Sequence, residues 1–221
     1  MKIHFYLLFT MGLLAGCNSS GQKAEEKTEK ANEVAAQVVE NVADKTFEEL
    51  FVSAVPAELP DNVFKLVGQD FTVITAGVES DYNSMTASWG GWGIMFNEPV
   101  TWCFLRASRY TLEYIKREKI YTMSYFDEPY KDQVILFGSS SGRDSDKMKK
   151  HTLTAVKTPI GSISYKEAKL IVECELTEVT TVQPNDFYTE EGKTFVTDAH
   201  KEAKEYHKIV FGKIRNIWIK K

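Results

Sequence analysis

Asp81-Tyr82-Asn83-Ser84-Met85-Thr86-Ala87-Ser88-Trp89-Gly90-Gly91-Trp92-Gly93 is the stretch on which the fold turns. It sets small hydroxyl residues ahead of glycines and two tryptophans, and taken alone it reads as a strand and turn whose tryptophans fill a core. The same residue types also suit the edge of a site for a flat, anionic ligand. Hydroxyls and turn N–H groups cradle phosphate, and indole rings cover an aromatic face.

On either side lie further strand-like runs, Phe71-Thr72-Val73-Ile74-Thr75 and Val100-Thr101-Trp102-Cys103-Phe104-Leu105, separated by glycine-rich turns. The sequence predicts a helix from Tyr110 to Arg117 and a strand from Lys119 to Tyr125. A second helix is expected from about Pro129 to Gly138, where glycine would cap it. Leu170, Val172, Cys174 and Leu176 alternate with polar neighbours over a long strand. Tyr206 to Ile219 reads as a closing strand with a bulge or close backbone approach at Gly212. Strands outnumber helices without a βαβ rhythm, so a mainly β fold is expected, a small barrel with peripheral helices rather than a doubly wound sheet.

The 221 residues, 43% hydrophobic, suffice for one sizeable core and are too few for two comfortable domains. Residues 1–16 carry Lys2 followed by apolar runs ending at Cys17, which reads as a secretory signal. Leu14-Ala15-Gly16-Cys17 resembles the lipobox of bacterial lipoproteins, which makes Cys17 the lipid attachment site and the first mature residue. The apolar run falls short of the ~18–20 residues needed to span a bilayer. Gln22 to Val42 is dominated by Lys, Glu and Ala and reads as a tether, with helical spacing of Val34, Val38 and Val42. Thr46-Phe47-Glu48-Glu49 resembles a capping box opening a short helix before Pro56 and Pro60. The division expected is therefore a signal at 1–16, a lipidated and partly helical tether at 17–60, and the folded domain at 61–221.

Loss of Lys2 with the signal leaves 26 basic against 31 acidic residues, a net charge of −5, which gives no general attraction for nucleic acid. Cys103 and Cys174 read as buried free thiols rather than a disulfide framework. His200 and His207, seven apart, could share a helix face but lack a third ligand, so no metal site is expected. Gly138-Ser139-Ser140-Ser141-Gly142-Arg143 lacks the Lys-Ser/Thr ending of a phosphate loop.

Four blocks together carry a family resemblance. Asn83-Ser84-Met85-Thr86-Ala87-Ser88-Trp89 resembles the Asn-x-Met-Thr-x-Ser-Trp signature of the flavin reductase-like (flavoredoxin) FMN-binding split barrel. Arg106-Ala107-Ser108-Arg109-Tyr110-Thr111, Ser141-Gly142-Arg143-Asp144-Ser145-Asp146-Lys147 and Tyr206-His207-Lys208-Ile209-Val210-Phe211-Gly212 resemble its later blocks, in the family's order. The resemblance implies FMN as cofactor, with Asn83, Ser84, Met85, Thr86 and Ser88 as contacts through backbone and side chain and Trp89 beside the ring. Arg109 supplies a planar guanidinium for the phosphate, flanked by Ser108 and Thr111, with Lys147 a further phosphate partner. Arg106 and Arg143 are set aside as structural salt-bridge residues. Ala107 stands where the family has proline, which relaxes the backbone before Ser108 without removing a donor.

By the same resemblance His207 lies near the nicotinamide of NADH or NADPH, although Glu205-Tyr206 departs from the family's usual pair. The resemblance also implies a homodimer. Three functions stay open: an NAD(P)H-dependent flavin reductase, an electron carrier that keeps FMN bound and is fed by a membrane or protein donor, and a flavin-binding module without turnover. The lipobox places the domain on a bacterial envelope membrane, outside the cytoplasm.

Overall fold

The computed structural model describes residues 42–143, 147–200 and 205–221. Cys17, most of the tether and Asp144-Ser145-Asp146 lie outside the described residues. The elements run α1 (Phe47–Leu50), β1 (Phe51–Ala54), α2 (Val63–Lys65), β2 (Thr72–Val78), β3 (Asp81–Ala87), β4 (Gly90–Met95), β5 (Glu98–Arg106), α3 (Tyr110–Glu118) and β6 (Ile120–Tyr125). They continue with α4 (Lys131–Ser139), β7 (Ala155–Lys157), β8 (Ile163–Tyr165), β9 (Leu170–Thr181), α5 (Glu190–His200) and β10 (His207–Lys220).

One antiparallel sheet has the order β3-β2-β6-β9-β10-β5-β4, with β1 also paired to β10, and β7 and β8 form a separate pair. β10 is the hub: one edge carries β9 along its length, and the other carries β5 from His207 to Lys213 and β1 from Ile217 to Lys220. The fold is the expected mainly β split barrel with peripheral helices.

Period-two alternation divides the strands between two cores. Ile74, Ala76, Met85, Tyr121, Met123, Leu170, Val172 and Cys174 face one cluster, joined by Leu112 and Ile115 of α3. Val73, Ile171, Phe137 and Tyr165 face a second, closed by Val42, Phe47, Leu50 and Phe51. The expected bulge is present as a register shift between Phe211 and Gly212. A Cβ at Gly212 would lie 2.2 Å from Tyr121 Oη and 3.0 Å from Cys174 Cβ, so the strand passes Tyr121 where only glycine fits.

Three expectations are corrected. The folded unit begins ahead of Asp61: the Thr46 capping box forms, and its helix leads into β1, whose Phe51 is buried beside Phe47 at 4.8 Å. Burial of four large apolar residues outweighs the tether-like composition around them. Gly138 is not a cap, because α4 runs on to Ser139 and Gly138 lies against Thr86, its would-be Cβ 3.3 Å from the Thr86 side chain. His200 and His207 do not share a helix, since His200 ends α5 and His207 opens β10.

Cys103 and Cys174 are free and buried, and burial pushes the Cys103 thiol up to about 12.

Candidate functional site

β3 forms one edge of the sheet, pairing only with β2. Its inward alternation carries Asn83 and Met85 to the floor of a cavity of about 370 Å³, within the usual range of small-molecule sites. One wall is the β5–α3 turn with Arg106, Ser108, Arg109, Tyr110 and Thr111, and the rim is the loop Ser140, Ser141, Gly142 and Arg143, with Lys147 behind it. Asn83 Nδ2 donates to Thr111 Oγ1 at 2.6 Å, tying β3 to the start of α3. A side chain at Gly142 would put its Cβ 2.1 Å from Asn83 Oδ1, so the rim can lie this close to the floor only as glycine.

Four cations border this cavity, and among the described residues its lining contains no carboxylate. Arg143 is held by its own contacts: it donates to Ser108 O at 2.9 Å, pairs with Glu113 and lies over the Tyr110 ring at 4.8 Å. Lys147, only 2% exposed, donates to Phe137 O and Ser140 O, both at 3.0 Å. Burial, with Arg109 adding repulsion, pushes its ammonium down to about 8. Burial and then the neighbouring Arg106 also lower the pKa of Arg109.

Arg109 makes no side-chain hydrogen bond or ion pair among the described residues. Arg109 and the buried Lys147 repel each other, with no carboxylate in the described lining to offset them, so an anion would stabilise the pair and the arrangement is suited to a phosphate. The nine-residue α3 begins at the same wall, with Arg109 as its N-cap residue and no capping side chain, and adds its positive end.

Of the residues expected from sequence, Asn83, Met85, Ser108, Arg109, Thr111 and Lys147 come together here. The Ser84 and Thr86 side chains do not enter this cavity. Ser84 Oγ bonds Thr75 Oγ1 and Tyr165 Oη, both at 2.7 Å, and Thr86 Oγ1 donates to Val134 O. Strand alternation points both away from the cavity, leaving only their backbone on the open edge of β3. Ser88 is not in the lining. Trp89 and His207 line a neighbouring cavity instead, with ring centroids 5.2 Å apart. Arg106 and Arg143, set aside from sequence, both border the phosphate-suited cavity. Tyr110 and the Ser140–Gly142 rim were the other residues missed.

A split antiparallel barrel with a cationic, hydroxyl-lined cavity at its edge strand defines the class of protein. Residues 64–221 match the family described as flavin reductase like domain, and the chain belongs to that family. No curated protein matches it.

Similar solved structures include an FMN-binding protein from Thermus thermophilus with bound 1-cyclohex-2-enone, 21% identical over 75% of this chain and 78% of that one, with a TM-score of 0.53. An FMN-binding domain of a flavin reductase-like enzyme from Shewanella baltica is 14% identical, covers 76% of each chain and has a TM-score of 0.54. Flavoredoxin of Desulfovibrio vulgaris is 18% identical, covering 67% of this chain and 68% of that one, with a TM-score of 0.51. These likenesses establish the fold.

Proposed function

We propose that this chain is an FMN-binding redox protein of the flavin reductase and flavoredoxin type, passing electrons from NAD(P)H through FMN to an acceptor. The observation that carries the reading is Arg109, without a side-chain partner among the described residues, set beside Arg106, Arg143, Lys147 and hydroxyls in a cavity whose described lining contains no carboxylate. Arg109 bonds the phosphate, with Ser108, Thr111 and Lys147 completing its shell. Asn83 and Met85 support the ligand from the floor, the backbone edge of β3 runs along it, and Trp89 stands beside the ring. FMN supplies the electron-carrying ring. The chain's part is to bind it, orient it and limit access to it.

Titration of the purified protein with FMN, followed by flavin fluorescence quenching, tests the binding. Bleaching near ~450 nm on adding NADH or NADPH tests the donor. A protein that quenches no flavin fluorescence would overturn the reading.

Leu14-Ala15-Gly16-Cys17 favours a second reading, in which a membrane or protein donor feeds the bound flavin of an envelope-anchored carrier. Reduced nicotinamides are scarce outside the cytoplasm. In that case dithionite bleaches the flavin and NAD(P)H does not, and Cys17→Ser moves the chain from the membrane to the soluble fraction. The reading includes a homodimer, supported by an apolar cavity of about 420 Å³ bordered by Val55, Val63, Trp92, Ile94 and Pro99, with Ile94 74% exposed. Light scattering at micromolar concentration tests it.

A further inference from the structure

We propose that the aromatic cavity beneath α5 binds an uncharged planar ring bearing a hydroxyl, of the phenol or hydroquinone class. His207 Nε2 accepts that hydroxyl, and His200 is the positioning residue that fixes the His207 tautomer. The cavity, of about 270 Å³, is walled by Trp89, Phe104, Val182, Phe187, Phe195 and Val196 and has room for one substituted ring. Trp89 and Phe195, their rings 6.4 Å apart and both partly exposed, form its mouth.

The tautomers follow from the hydrogen bonds. His200 is buried, and its Nδ1 lies 2.5 Å from Val196 O. A carbonyl can only accept, so this Nδ1 carries the ring proton. His200 Nε2 is therefore a bare lone pair, and it accepts the His207 backbone N–H at 3.0 Å, a contact that requires the same assignment. His207 Nδ1 meets that lone pair as well and so is the N–H of its own ring. One proton per neutral imidazole leaves His207 Nε2 as an acceptor. Nε2 makes no hydrogen bond among the described residues and is not a buried orphan.

Charge narrows the ligand. Burial, then His200, Arg106 and Arg109, push the His207 pKa down to about 4, against a weaker opposing pull from Glu205. The ring is thus neutral at physiological pH, and a bare lone pair in apolar walls disfavours a carboxylate or phosphate. Arg106, paired with His207 across β5 and β10, and Arg109 disfavour a cation. A neutral ring with an O–H donor satisfies both conditions. Arg106 also borders the phosphate-suited cavity, so such a ring would lie beside the flavin proposed above. That adjacency rests on the flavin reading, whereas the binding does not.

The test is made on flavin-free protein, so a failure of the FMN assignment is read separately in the FMN titration. ¹⁵N NMR of the histidine rings should find His207 protonated at Nδ1, opposite to the usual Nε2–H preference, and His200→Phe should return it to Nε2–H. Calorimetric titration with 4-methylphenol and the isosteric 1,4-dimethylbenzene gives a ratio of affinities. That ratio should fall about two- to tenfold in His207→Phe, as expected for one hydrogen bond, and Val196→Trp should abolish binding of both probes. An Nε2–H tautomer in the unaltered protein, a ratio unchanged by His207→Phe, or binding that survives Val196→Trp would each overturn the proposal.

Discussion

Replacing Arg109 with alanine should weaken FMN binding by roughly ten- to a hundredfold, the value of one charge-assisted hydrogen bond of about 1.5–3 kcal/mol. Two features set this range. Arg109 has no described partner to lose, so the variant leaves no orphaned acceptor and the whole effect falls on the ligand. Against that, Arg109 helps to depress Lys147, and its removal lets the ammonium hold its proton more firmly, which offsets part of the loss. Flavin fluorescence quenching with FMN and riboflavin on both proteins gives four affinities. Riboflavin lacks the phosphate and should bind the two proteins almost equally, whereas a variant that merely disordered the cavity would lose both ligands. Unchanged FMN affinity in Arg109→Ala would refute the phosphate assignment and shift it to Arg106 or Lys147.

FMN affinity should also fall as pH rises through about 8, where the ligand-free protein loses the Lys147 proton that phosphate would otherwise retain; riboflavin affinity and the Lys147→Met variant should lack this step. The sign for folding is opposite. A lysine depressed from 10.5 to about 8 subtracts stability below pH 8, and that cost is relieved between pH 8 and 10.5, as urea melts of ligand-free protein should show. Gly212→Ala should cost about 1–3 kcal/mol in urea unfolding, because the added methyl meets Tyr121 Oη at 2.2 Å. Phe51→Ala should cost about 3–5 kcal/mol, a value a tether residue would not give.

Strand periodicity made the barrel legible. The alternation of Leu170, Val172 and Cys174 and the glycine in the last strand lead directly to β9 and to the β10 bulge. β1 was hidden because four residues beside prolines and a charged stretch carry little pattern of their own, and their partner lies more than 160 positions away. The side-chain directions of Ser84 and Thr86 are legible in the sequence. Once Asn83 to Thr86 is a strand, period two already separates Asn83 and Met85 from their neighbours. Arg106 and Arg143 were not separable by type, since a structural and a ligand-facing guanidinium look alike until their partners are known. The His200–His207 contact joins a helix end to a strand start, which no local spacing reveals.

The position of β10 in the chain governs the order in which the molecule can be made. Its partners β1, β5 and β9 all precede it, so a nascent polypeptide halted after β9 is complete and before residue 207 holds three strands with their pairing edges open. Pairings this distant in sequence also close slowly. Synthesis therefore passes through an extended period in which the barrel is unclosed and its apolar faces are uncovered, the state that chaperones hold.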